Sequence, residues 1–220
     1  MTVLKAAAFI LAAMLFTAPG AVGADTATPV PKPDIGSIQR LNTFPSVHVP
    51  PRDVDVWLPS GYSDKKKYAV LYMQDGQMLF DAGITWNKQE WRADETAARL
   101  MAEGKVRPFI IVGIHNGGPR RHVEYFPQKP FEVLPDDFRR QLLGMNRNPQ
   151  QVLFDGEVDS DAYLKFVVEE LKPYIDSHFS VYTGPENTAV MGSSMGGLIS
   201  MYAISEYPQV FGAAACISTH

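Results

Sequence analysis

The sequence predicts an α/β protein built on a mainly parallel sheet with helices on both faces. Two strand-length runs, Tyr68 to Met73 and Phe109 to Ile114, carry no charged side chain, a pattern suited to strands covered on both sides. Strand-like and helix-like segments alternate along the chain. With 220 residues, 45% hydrophobic and 20% charged, the chain suits one domain with a substantial core and resembles neither a disordered nor a multi-span membrane protein.

Taken in order, residues 1–24 read as a signal peptide. Lys5 supplies the positive start, Ala6 to Phe16 is apolar, and Val22-Gly23-Ala24 offers small residues for cleavage before Asp25. The apolar run is shorter than the roughly 20 residues that span a bilayer, so no stable membrane span is expected after cleavage. Export to the periplasm or medium follows. Residues 25–34, rich in Thr, Pro and Lys, offer little apolar surface to bury and read as an exposed leader. The domain is then expected over 35–220.

Val54, Val56 and Leu58 alternate with Asp55 and Trp57 and predict a strand closed by Pro59-Ser60-Gly61. The strand Tyr68 to Met73, a helix carrying Ala93, Ala97, Leu100 and Met101 that stops at Gly104, and the strand Phe109 to Ile114 form a βαβ unit. Tyr163, Phe166, Val167, Leu171 and Tyr174 share one face of a further helix, with Asp159, Ser160 and Asp161 as candidate caps. Pro173 bends that helix or begins a new turn. A strand from Thr188 to Met191, a helix from Met195 to about Tyr207, and a strand from Gly212 to Ile217 come last. In such sheets the site lies at the carboxyl ends of the strands.

Charge and cysteine content narrow the function classes. Twenty basic against 24 acidic side chains give a net charge of −4, and Lys65-Lys66-Lys67 reads as a solvated turn, so nothing points to nucleic acid. Cys216 is the single cysteine, which excludes an intramolecular disulfide; in its apolar run it reads as a small packed hydrophobe.

Gly192-Ser193-Ser194-Met195-Gly196 fits G-x-S-x-G, directly after a strand and before a helix. The pattern places Ser194 on a sharp turn as a nucleophile, with glycines where side chains would clash. The Met195 N–H, at the positive end of the helix dipole, is the first expected oxyanion donor. A Gly-rich strand-to-helix turn without catalysis is the plain alternative.

Met191 to Gly197 resembles the nucleophile elbow of the putative-esterase family of α/β-hydrolases, which includes enterochelin, feruloyl and acetylxylan esterases, esterase D and related mycolyltransferases. Val70 to Gln77 with Phe80-Asp81, Ile110 to Ile114, and Arg121 to Pro127 agree with it. The resemblance implies the α/β-hydrolase fold and a second oxyanion donor at the Gln77 N–H, in the Asp75-Gly76-Gln77 loop. It also places Arg121, Glu124 and Tyr125 near the site mouth, where an Arg and Glu pair ordering a loop is an equal reading; they stay outside the catalytic set.

The order Ser, acid, His of this fold is not met. After Ser194 stand one acidic residue, Glu206, which reads as a helix-end carboxylate, and one histidine, His220. His48, His115, His122 and His178 lie upstream, and His115 follows a strand end as a hydrogen-bonded loop residue would. No base is assigned, and the expectation is an incomplete domain whose C-terminal strands are missing. The function expected is a serine esterase working through acyl-Ser194 on a small-molecule or carbohydrate-linked ester, with no cofactor and no metal. An acyltransferase of the same fold and an inactive binding remnant are the alternatives.

Overall fold

The computed structural model describes residues 28–219; the expected signal peptide and His220 lie outside them. The chain runs through β1 (Ser37–Phe44), β2 (Arg52–Leu58), β3 (Ala69–Met73), α1 (Ala93–Ala102) and β4 (Phe109–Ile114). Three short helices follow, α2 (Arg121–Tyr125), α3 (Gln128–Glu132) and α4 (Asp136–Leu143), then a small hairpin of β5 (Asn146–Asn148) and β6 (Gln151–Val152). A long helical stretch consists of α5 (Ser160–Lys165), a π-helical segment Phe166–Leu171 and α6 (Lys172–His178). β7 (Thr188–Ser193), α7 (Met195–Glu206) and β8 (Ala213–Ile217) come last.

Six strands form one sheet in the order β1-β2-β4-β3-β7-β8. β4, β3, β7 and β8 pair in parallel, while β2 runs antiparallel to both β1 and β4. The βαβ unit expected around α1 is therefore present, with β3 and β4 as direct parallel neighbours.

Alternation along the strands sends side chains to two faces. Val70, Tyr72, Ile110, Val112, Ile114 and Val190 pack with Tyr163, Phe166, Leu171 and Ile175 of the long helical stretch and with Ile199 and Ala203 of α7. Met73, Ile111 and Trp57 face the opposite way, onto Ala97 of α1 with Leu79 and Phe80. Burying a large side chain of this kind is worth about 1.5–3 kcal/mol, so both layers hold the sheet that carries the site.

Of the two readings of Pro173, a bend or the start of a new turn, the second matches the observed elements. Proline lacks the N–H that continues the ladder; the π-helical segment ends at Leu171, and Pro173 sits in the first turn of α6. β1, by contrast, was not foreseen. Its sequence, Ser-Ile-Gln-Arg-Leu-Asn-Thr-Phe, has no strict alternation, and as an outer strand it needs only one partner, β2.

Residues 28–34 have no regular secondary structure and are mostly exposed, yet they are tethered. The Lys32 N–H donates to Asp81 at 3.0 Å, and the Arg40 guanidinium donates to the carbonyls of Thr28 and Pro29 at 2.8 and 3.2 Å. Backbone groups captured by charged side chains do here what apolar burial does not. At the other end of the sheet, Ala213, Ala215 and Ile217 of β8 are exposed, while Cys216 is half-buried and burial pushes its thiol up.

Candidate active site

Ser194 stands between β7 and α7 with φ 55° and ψ −127°, a backbone conformation that a residue with a Cβ rarely adopts. The surrounding glycines explain how the turn is held. A methyl group at Gly192 would fall 2.3 Å from the Gly196 carbonyl oxygen, and one at Gly196 would fall 3.1 Å from the Gln74 Cβ. The Ser194 N–H donates to the Ile217 carbonyl at 2.9 Å, tying the turn to β8. Met195 opens α7, and the first amides of a helix have no carbonyl partner within it.

Facing the elbow is the end of β3. Asp75 adopts the left-handed conformation, φ 56° and ψ 46°, and caps a short 3₁₀ turn, Gly76–Met78, that contains Gln77. Gly76 is needed for close approach, since a methyl there would lie 2.4 Å from the Gly113 carbonyl carbon of β4. Gln77 and Ser194 line the same cavity, so the two loops that sequence reasoning singled out do meet.

What sequence reasoning missed is the carboxylate between them. Asp75 accepts from Arg121 Nε at 2.7 Å, from Arg121 Nη2 at 2.8 Å and from Asn116 Nδ2 at 2.6 Å. One of its oxygens lies 3.1 Å from where a Gly196 Cβ would stand, so it packs against the second residue of α7. Asn116 also donates its N–H to the Gln77 side-chain oxygen at 3.2 Å. Burial works against the Arg121 charge, but the hydrogen bonds and charge of Asp75 outweigh it and raise the guanidinium above its ordinary value.

Arg121 thus pairs with Asp75 and not with Glu124. Glu124, wholly buried, takes two hydrogen bonds of 2.8 Å from Arg52, whose guanidinium lies over the Tyr163 and Phe166 rings. Gly117 leaves room for this pair, because a methyl there would come within 2.6 Å of the Glu124 carboxylate. The fully buried Tyr125 packs under Arg121, and its hydroxyl accepts the Asp75 N–H at 3.5 Å.

The cavity over Ser194 measures about 540 Å³ and is walled by Asp75, Gln77, Trp86, Trp91, Asn116 and Arg121, with Arg147 and Gln151 of the small hairpin at its rim. None of the described histidines lines it. His115 Nε2 instead meets Asp55 Oδ2 at 2.8 Å beside Arg40, as a loop histidine bound to a buried carboxylate. His48 lies beside Glu169, and His178 stacks on Tyr174. His122 packs edge-on to Phe154. Burial and the charges of Arg121 and Arg147 hold the His122 imidazole below its ordinary range. Glu206 forms an ion pair with Lys129 at the end of α7 and does not line the cavity. Among the described residues no group of three His, Cys, Asp or Glu is placed to hold a metal ion, and no helix is long and apolar enough to cross a membrane.

Comparison with known proteins agrees with this architecture. The chain is 25% identical over 188 residues to an endo-1,4-beta-xylanase/feruloyl esterase of Xylanibacter ruminicola, covering 80% of this chain and 21% of that one. It is 27% identical over 168 residues to the uncharacterized protein YbbA of Bacillus subtilis, covering 76% and 56%. Among solved structures, an IroE-like serine hydrolase of Shewanella oneidensis superposes with a TM-score of 0.58 at 26% identity, over 83% of this chain and 51% of that one. The chain therefore spans little more than half, or less, of the length of these relatives. The family model described as putative esterase matches residues 50–220, and on that match, together with the sheet and the elbow, the chain belongs to the putative esterase family of α/β-hydrolases.

Proposed function

We propose that the chain is the nucleophile-bearing part of a serine esterase acting on a carboxylic ester of a small molecule or a carbohydrate. The observation that carries this is the strained Ser194 turn opening on a cavity shared with Gln77. Ser194 Oγ attacks the ester carbonyl, the Met195 and Gln77 N–H groups receive the developing oxyanion, and collapse expels the alcohol to leave acyl-Ser194, which water then cleaves. The step requires a base to take the Ser194 proton, a role to which no described histidine is suited by position.

The test is covalent labelling. A fluorophosphonate probe applied to the protein as its gene encodes it is expected to modify Ser194, and Ser194→Ala is expected to lose labelling and about 10⁶-fold in ester turnover. Equal labelling of both forms would remove Ser194 from the mechanism. We further propose that the protein is exported, that residues 1–24 are cleaved, that residues 25–34 form a leader and that the esterase domain starts at about residue 35. Support comes from the Lys5, Ala6 to Phe16 and Val22-Gly23-Ala24 pattern. Amino-terminal sequencing of exported protein should begin at Asp25; a mature product beginning at Met1 would overturn it.

A further inference from the structure

The rim of the Ser194 cavity has a composition that the chemistry at Ser194 does not require. Trp86 is 82% exposed and Trp91 is 36% exposed, although large aromatic side chains normally find cover. Neither sits on a loose tail. Thr85, beside Trp86, is buried and donates its hydroxyl to the Ala82 carbonyl at 3.1 Å. The Trp91 main-chain N–H donates to the Met78 carbonyl at 3.0 Å, which fastens the backbone at Trp91 to the turn carrying Gln77. Two indoles lining one cavity from anchored backbone offer apolar faces to a ring.

The same cavity is lined by a cation with no partner. Among the described residues Arg147 has no carboxylate within ion-pair distance and no side-chain hydrogen bond, whereas Arg121 is matched by Asp75. The acidic groups that crowd one another near α1, Glu90 with Asp34, Asp81, Asp94 and Glu95, do not line the cavity. Its one carboxylate, Asp75, already accepts three hydrogen bonds. With Arg121 matched by Asp75, Arg147 is the cation left over at the cavity's rim.

We infer that the ester taken by this site joins a planar ring to an anionic carboxylate in its non-reacting part, the ring lying against Trp86 and Trp91 and the carboxylate meeting Arg147. This rests on the serine esterase reading for the reacting end and adds the charge and shape of the remainder. The small hairpin of β5 and β6 is then the element that selects the substrate. Arg147 lies between Asn146, which pairs with Val152, and Asn148, which pairs with Gln151, at an irregularity in the ladder, and the Leu153 N–H donates to the Met145 carbonyl at 2.8 Å at the hairpin base.

The test compares two probes of one shape, monomethyl terephthalate, which is anionic, and its neutral amide, methyl 4-carbamoylbenzoate. Binding is measured on the Ser194→Ala form of the whole protein, so that the ester is not consumed and no turnover is needed. Quenching of indole emission reports the rim, since the third tryptophan, Trp57, is fully buried away from the cavity. The anionic probe is expected to bind about five-fold more tightly at low salt, the upper end for an exposed ion pair. That advantage should vanish in Arg147→Gln and shrink in 0.5 M salt. Removing both rim indoles should weaken both probes, read by calorimetry. Equal affinity of the two probes, an advantage that survives Arg147→Gln, or unchanged binding without the indoles would overturn the inference. Hydrolysis of the probe by Ser194→Ala at the parent rate would instead sink the serine reading and leave the binding comparison standing.

Discussion

Removing Arg121 should harm the reaction more than removing Arg121 and the Asp75 charge together. The Arg121 fork makes two hydrogen bonds of 2.7 and 2.8 Å to Asp75, and the side chains are only 20% and 14% exposed. Arg121→Met leaves that carboxylate with the Asn116 amide alone, packed against Gly196 in the first turn of α7. A charge pair buried to this degree costs about 2–4 kcal/mol to break from one side. The freed negative charge also opposes an oxyanion forming at the Met195 and Gln77 amides. That opposition is comparable to losing one oxyanion donor, so a fall of about 10²–10³ in turnover is expected. Adding Asp75→Asn removes the charge and should restore at least about ten-fold of the loss. The assay is kcat/KM on an activated ester for the parent, both single variants and the double variant, with thermal midpoints for each. A double variant as slow as the product of the two singles would refute the reasoning and point to direct contact of Arg121 with substrate.

Further outcomes follow from the same geometry. Ser194→Gly should raise the thermal midpoint, by relief of about 1 kcal/mol of backbone strain at φ 55°, while turnover is lost; Ser194→Ala keeps the strain and should show no such gain. Gly192→Ala should destabilise the fold by about 3 kcal/mol, because both nearest atoms, at 2.3 and 2.4 Å, are backbone of Gly196 and cannot rotate away; an unchanged midpoint would show that the elbow is plastic. Burial alone would raise the Asp55 carboxyl, but hydrogen bonds and charges of His115 and Arg40 prevail and hold it below its ordinary value of 3.8. Its stabilisation is therefore complete above that pH and lost as the pH falls through the lower folded value, so Asp55→Asn should flatten the acid limb of a stability profile, and an unaltered limb would count against the pair.

Local chemistry was readable in the sequence, and long-range pairing was not. The apolar runs of β3 and β4 announce central strands because two covered faces leave no polar position, and the elbow glycines announce a turn that only small residues permit. Gln77 was placed beside Ser194 by resemblance to the esterase family, and the parallel neighbours β3 and β7 bring the two loops to one cavity. A pair of Arg121 with Glu124 ordering a loop was one of two equal readings, yet side chains three residues apart compete with partners from other elements. Asp75 lies 46 residues from Arg121, and Arg52 lies 72 from Glu124; no periodicity encodes such distances. β1 escaped because a strand with one neighbour needs no strict alternation, and the tether of residues 28–34 escaped because its partners, Arg40 and Asp81, lie outside the segment.

The single hydrogen bond from the Ser194 amide to the Ile217 carbonyl joins the elbow to the strand farthest from β1. An amide exchanges only when its own hydrogen bond opens, so a group bonded to a strand opens with that strand. The reactive turn and β8 should then behave as one cooperative unit, with the Ser194 amide exchanging its hydrogen at the pace of the β8 backbone. Whatever braces the outer side of β8 would quiet that exchange, and through it the time Ser194 spends poised for attack.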